Sequence, residues 1–221
     1  MPRAKLRTPE LRDRVLDVAV ATLVAEGAAG FTTRRVAEGA ATSLPAVYEL
    51  FGDKAGLVGA VHAEGFRLLH RRLEESGDAD DPRAALRVTV DVLRDFVRRN
   101  PVLAEVMFSR PFADLDPGPE HVEAGAAVRE LLVGRVRRAV DAGILAGDPT
   151  DVAHVVLALA QGLAAQETAG WLGTSAASRD RRWALAVEAI LTGLAPPTPP
   201  GGRRARRSDR PSRAGGRTAR R

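Results

Sequence analysis

The residue types that most often carry chemistry are sparse in this sequence. Cysteine is absent, which removes disulfides, thiolate metal sites and thiol redox chemistry. The four histidines, His62, His70, His121 and His154, fall in separate or distant turns. His70 and Glu74 stand four apart, the spacing of a metal-binding pair on one helix face, but no third ligand accompanies them. No glycine-rich phosphate loop and no setting for a nucleophilic serine occurs. Catalysis, a metal and a cofactor are therefore not expected. The polar residues that stand out lie in residues 31–61, among them Thr33, Arg34, Ser43, Tyr48, Glu49 and Lys54. Tyr48 is the sole tyrosine of the chain and Lys54 is one of two lysines. Taken singly, Thr33 reads as a helix cap, Arg34 and Lys54 as surface charges, and Tyr48 as a core ring or a rim phenol with one wet end.

Charge points in the same direction, though weakly. The chain of 221 residues carries a net charge of +5 and a pI near 10.7, which favours an anionic partner. That charge is concentrated at the end: residues 201–221 hold nine arginines and one acid, while the first 60 residues hold eight bases and seven acids. From Pro196 onward there is no Leu, Ile, Val or aromatic residue, so a disordered Pro/Gly/Arg-rich tail is expected over 196–221. The remainder, at 45% hydrophobic residues overall, has the composition of a soluble globular protein. No apolar run reaches the roughly 20 residues that span a bilayer, and no signal core opens the chain, so a cytoplasmic protein without a membrane partner is expected.

The elements that must position these residues are helices. Strand alternation and hairpin turns are almost absent. Thr8 can cap a first helix with Pro9 at its first position and Glu10 in its first turn. Leu11, Val15, Val18 and Ala19 form its apolar stripe, and Gly27 is expected to stop it. Short helices follow near 33–40 and 44–51, the second capped by Ser43 with Pro45 in its first turn. Val36 and Ala37 can meet Val47 and Phe51 across the turn, the packing of a helix-turn-helix. A long helix runs from about Lys54 to Glu75. Leu86, Val90, Leu93 and Val97 mark another, closed by Asn100-Pro101. A short helix at 102–109, a loop from Phe112 to Pro119 and a helix at 120–141 come next, the last closed by a left-handed Gly143. Helices after Asp148-Pro149 and around Trp183 to Leu194 complete an all-α chain of about nine helices.

Residues 31–61 resemble the TetR family of transcriptional regulators. The resemblance rests on Phe31-Thr32-Thr33, Val36-Ala37, Thr42-Ser43, Tyr48-Glu49-Leu50-Phe51 and Lys54, in order and spacing. It implies a helix-turn-helix head over 1–55 and a helical ligand-binding and dimerisation domain over 56–195. It also implies that Thr33, Tyr48 and Lys54 hold phosphates, Arg34 contacts DNA, and Ser43 caps the helix that reads the major groove. Leu44, Pro45 and Ala46 at the start of that helix would face base edges. None offers a bidentate hydrogen bond, so thymine methyl contacts and DNA shape would carry specificity. Glu49 either accepts from a cytosine amino group or turns away to pair with an arginine. Leu50 stands where the family often has a histidine, which leaves the phosphate set one member short. The arm carrying Arg3, Lys5 and Arg7 is either a frayed terminus or a further phosphate contact.

The rest of the chain resembles the family's regulatory part less specifically. The run Phe96 to Phe108 looks like a subgroup with a Phe-rich helix, Asn/His-Pro and Met-Phe. Leu157 and Gln161 stand where that subgroup often has Trp and His. A pocket between the middle helices is expected to be lined by Phe96, Met107, Phe108, Phe112, Gln161 and Trp171 and to take an unidentified apolar or amphipathic effector. The last two helices of each subunit are expected to form a homodimer through Val152, Val156, Leu159, Leu163, Trp183, Val187, Ile190 and Leu191, a two-fold arrangement that suits a palindromic double-stranded DNA operator. The function implied is a sequence-specific repressor released from DNA by its ligand. Two alternatives stand beside it: an architectural DNA-binding protein dominated by the Arg-rich tail, and a helical small-molecule binding protein without a DNA function.

Overall fold

The computed structural model describes residues 8–109 and 119–197, with the side chains of 119–121 left out. The N-terminal arm, Phe112 with most of its loop, and the arginines of the tail lie outside the described residues. Among the described residues there are nine helices and no strand: α1 Pro9–Gly30, α2 Thr33–Gly39, α3 Leu44–Phe51, α4 Lys54–Glu75, α5 Pro82–Arg99, α6 Pro101–Phe108, α7 Pro119–Asp141, α8 Pro149–Thr168 and α9 Ala176–Gly193. No described helix is long and apolar enough to cross a membrane.

Helix starts follow from short-range capping. The Thr8 hydroxyl accepts from the Leu11 amide at 3.2 Å, with Pro9 in the first turn. Glu10 just beyond has its carboxyl held below the ordinary range by its own backbone N–H and by the Thr8 hydroxyl. Gly27 does not end α1: it bends the chain (φ 68°, ψ −178°), and helix resumes to Gly30. At the far end of α7, Gly143 takes φ 69° and the Ile144 amide reaches back to the Ala139 carbonyl at 2.9 Å, a left-handed cap with its apolar follower half-buried.

One apolar core runs through the molecule, from Leu11, Val15 and Ala19 of α1 through Leu57, Val61 and Leu69 of α4 to Trp183, Val187 and Leu191 of α9. Two polar clamps lock the body around it. Arg135 of α7, buried, donates to Thr89 (2.7 Å), Asp78 (2.9 Å) and the carbonyls of Leu73 (2.8 Å) and Gly77 (2.9 Å). It thereby joins the Ser76 hydroxyl on the Leu73 carbonyl and holds the Gly77 carbonyl just past the C-terminal end of α4. The second clamp is the carboxylate of Glu167 on α8, 5% exposed. Arg94 of α5 grips it through Nε at 2.6 Å and Nη2 at 3.0 Å, with Arg179 of α9 at 3.6 Å. The Glu167 hydrogen bond holds the Arg94 guanidinium above its already high pKa. Arg94 also lies 5.0 Å over the Trp183 ring, whose Nε1 donates to Asp91 at 2.7 Å.

These contacts correct the expected dimer face. Val152, Val156, Trp183, Val187 and Leu191 are buried inside the protomer, and only Leu159, Leu163 and Ile190 of that set keep partial exposure. An apolar stripe identifies the face of a helix that seeks cover, not which chain supplies it. Here α5 and α7 of the same protomer cover α8, and α5 and α8 cover α9. Among the residues left open on the two helices are Val155 (46% exposed), Leu185 (69%), and the small residues Ala158, Gly162, Ala165, Ala184 and Ala189.

Candidate nucleic-acid interface

The head is built from backbone geometry over a few residues. Phe31 and Val36, buried in one cluster, flank the start of α2 at the positions of a hydrophobic staple. The cap between them is Thr32, whose hydroxyl accepts from Arg35 N at 3.3 Å. This corrects the cap expected at Thr33, which lies one position inside α2 and is 6% exposed as a whole residue. The signal was present in the sequence: only Thr32 as cap puts Phe31 and Val36 at staple spacing. Arg34 beside it is exposed, and Arg35 pairs with Glu26 of α1.

The turn into α3 folds tightly. Ala41 sits in the left-handed region (φ 51°), and the Thr42 amide donates to the Ala37 carbonyl at 2.9 Å. Ser43 then caps α3, accepting from Ala46 N at 3.3 Å. Val47 is buried against Val36 and Ala37, as the motif requires, while Pro45, Tyr48 and Glu49 are exposed and Leu44 and Ala46 are half-exposed. Tyr48, at 42% exposure, is a rim residue with a wet hydroxyl end and not a core ring. Glu49 has an interaction partner within the chain.

The step from α3 to α4 sets the distance between Tyr48 and Lys54. Gly52 (φ 81°) donates to the Tyr48 carbonyl at 2.8 Å, and the Asp53 carboxylate caps α4 by accepting from Gly56 N at 2.8 Å. A Cβ at Gly56 would overlap the Phe51 carbonyl oxygen. The last carbonyl of α3 therefore presses on the first turn of α4, and glycine alone permits the approach. Lys54, the first residue of α4, is exposed with Nζ 6.0 Å from the centroid of Phe31. The result is an exposed hydroxyl and an exposed ammonium on the edges of two successive helices, beside the open first turn of α3. That is the equipment for holding a phosphate backbone while a helix enters a groove.

A second feature lies in the body. A cleft of about 390 Å³ opens between the ends of α5, α6 and α8. Phe108 and Gln161 of the expected lining are there, together with Val97, Pro101, Val102, Glu105, Ala165 and Thr168. Other members of that expected set lie elsewhere. Phe96 is fully buried core, Trp171 is 77% exposed on the α8–α9 turn, and neither lines the cleft. Met107 faces the opposite way, onto α4: a Cβ at Gly65 would lie 2.6 Å from its sulfur and 3.2 Å from Leu103 Cδ1. Phe108 also meets Phe66 of α4 edge-on at 5.8 Å, and Phe66 meets His62 at 4.9 Å. One short helix thus has its open face on the cleft and its covered face on the helix that begins at Lys54. No group of three or more metal-capable residues occurs among the described residues, and His70 pairs with Glu74 at 3.2 Å.

The comparisons with known proteins agree with this geometry. Residues 15–61 match the model of bacterial regulatory proteins of the tetR family, and residues 86–190 match the tetracyclin repressor-like C-terminal domain, together well over half of the chain. No curated protein matches it. Among solved structures, a protein of unknown function from Rhodococcus sp. RHA1 superposes with a TM-score of 0.75 at 27% identity, covering 86% of this chain and 98% of its own. The TetR family transcriptional regulator PfmR from Thermus thermophilus gives 0.60 at 20% identity, over 84% and 98%. The fatty acid degradation regulator FadR from Bacillus halodurans gives 0.68 at 13%, over 85% and 98%, a likeness of fold alone. With a helix-turn-helix head at one end, a helical effector-binding body at the other, and both family models matched in order, the chain belongs to the TetR family of bacterial transcriptional regulators.

Proposed function

We propose that this protein is a cytoplasmic, homodimeric repressor that binds a palindromic operator and leaves it when a small molecule enters the body. The observation that carries the reading is the Tyr48–Lys54 pair, both exposed and held at fixed separation by the Gly52-Asp53 step and the close approach at Gly56. Arg34, Ser43, Leu44, Pro45, Ala46 and Glu49 surround that pair as further contacts to DNA. A recognition helix of two turns reads only a few base pairs, so a second copy is needed for specificity. The apolar surface left on α8 and α9 suits that copy: Val155, Leu159, Leu163, Leu185 and Ile190, with Gly162 permitting close approach. Occupation of the cleft would move α6, and the seat of Met107 on Gly65 would pass that motion to α4 and its N-terminal Lys54. DNA and effector then favour different arrangements of one helix, and their affinities are linked reciprocally.

The test uses DNA selected from a random pool by the full chain. Tyr48→Phe and Lys54→Ala should each weaken binding and reduce the slope of log affinity against log salt by about one. Unchanged affinity in both variants would remove the head from the mechanism. Loss of all affinity on deleting 196–221 would favour the architectural reading, in which the arginine tail supplies the binding.

A further inference from the structure

We infer that the cleft between α6 and α8 selects a cationic amphipathic molecule, with Glu105 as its counter-ion. The inference deepens the effector reading above and rests on it. The cleft walls are mainly apolar, with Val97, Val102, Phe108 and Ala165 among them. Its volume of about 390 Å³ lies within the range of sites for small organic ligands. What distinguishes it is the charge. Among the described residues, Glu105 is the one ionisable group in the lining, although the chain holds 33 lysines and arginines against 28 acids. The described part of a base-rich protein therefore turns a solitary carboxylate, and no base, towards this cavity.

The backbone adds to the same sign. Ser109 is the C-cap of α6, and Thr168 and Ala169 are the last residue and C-cap of α8, so the cleft lies at two helix C-termini. Carbonyl ends carry the negative pole of a helix and favour a cation. The one helix start in the described lining is that of α6, where Pro101 has no N–H and Val102 alone brings a first-turn N–H to the cleft, against two carbonyl ends. Phe108 contributes an aromatic ring, which attracts a cation over its face more strongly than a neutral group. An acid of equal length would set its own carboxylate against Glu105 and both carbonyl ends. The favoured occupant has an apolar body lying along Val97, Val102 and Ala165, and an ammonium-type head near Glu105.

Isothermal titration of the full-length protein with octyltrimethylammonium, octyl glucoside and octyl sulfate, all below micelle formation, reads this directly. Octyltrimethylammonium should bind about tenfold or more tighter than octyl sulfate, with the neutral probe between them. Glu105→Gln should shrink that ratio to about threefold or less and leave octyl glucoside unchanged, and Glu105→Lys should reverse the order. Equal or tighter binding of the sulfate, a ratio that survives both substitutions, or no binding by any probe would overturn the inference. The effector reading is separated by a second measurement on the selected DNA. Release of DNA by octyltrimethylammonium supports both. Glu105-dependent binding without release leaves the cleft's charge selection standing and overturns the effector reading alone.

Discussion

Head and body share local helix caps, Asp81, Asp148 and Ser175 among those of the body, but only the body adds buried ionic bonds between residues far apart in the chain. In the head, a side-chain oxygen meets a backbone N–H three residues on: Thr8 to Leu11, Thr32 to Arg35, Ser43 to Ala46 and Asp53 to Gly56. In the body, the decisive partners are far apart in the chain: Arg94 and Glu167 by 73 positions, Trp183 and Asp91 by 92, Arg135 and Asp78 by 57. Local bonds shape a surface without burying charge, so the head keeps Arg34, Tyr48 and Lys54 exposed. Long-range ionic clamps bury charge and fix helix against helix.

That contrast can be tested from its largest expected effect downwards. Glu167→Ala should cost about 2–3 kcal/mol in urea unfolding, because Arg94 at 11% exposure would lose its two-point grip and keep only Asp180 at 2.7 Å. A cost below about 1 kcal/mol would mean that the clamp is ornamental. Gly56→Ala should cost about 2–3 kcal/mol through the forced collision with the Phe51 carbonyl. Hydrogen exchange should place that loss in α3 and the start of α4, leaving α7–α9 protected; uniform loss would merge the two regions. Ser43→Ala should cost about 1 kcal/mol, the ordinary worth of a cap, and affect DNA binding more than overall unfolding. Ala41→Gly should go the other way. Relieving a left-handed alanine should raise stability by about 0.5–1 kcal/mol, and a loss there would show that the turn is held by something beyond its φ.

The same division explains what could be read from the sequence. Helix limits followed from Pro9, Ser43, Asn100-Pro101, Gly143 and Asp148-Pro149, because caps and breakers act over three or four residues. The exposed placement of Tyr48 and Lys54 was legible for the same reason, since their spacing is set by one turn. Thr33 was misplaced by one residue because adjacent threonines compete for one cap, and the Phe31–Val36 staple decides between them. In the body, Phe96 and Met107 have the composition of a pocket lining, yet burial is decided by helices distant in sequence. The stripes on α8 and α9 were correctly apolar, but their partners lay within the protomer. Glu105 and Glu167 are both single acids on helices of similar pattern. Only tertiary structure makes one the charge of an open cleft and the other a buried clamp.

The unbroken course of α4 has a mechanical consequence. Gly65, where Met107 sits, and Lys54, at the tip, are separated by about 16 Å along the helix axis at 1.5 Å per residue. With the far end of α4, held by Arg135 at Leu73, as fulcrum, a pivot of about 6° would move Gly65 by about 1.3 Å and swing Lys54 by about 3 Å, the length of a hydrogen bond. A displacement of a fraction of that size at the cleft, magnified along a stiff rod, is enough to carry a positive charge off one phosphate. In the proposed two-fold pair the same swing would count twice, so the gap between the two reading helices would be the quantity that an effector sets.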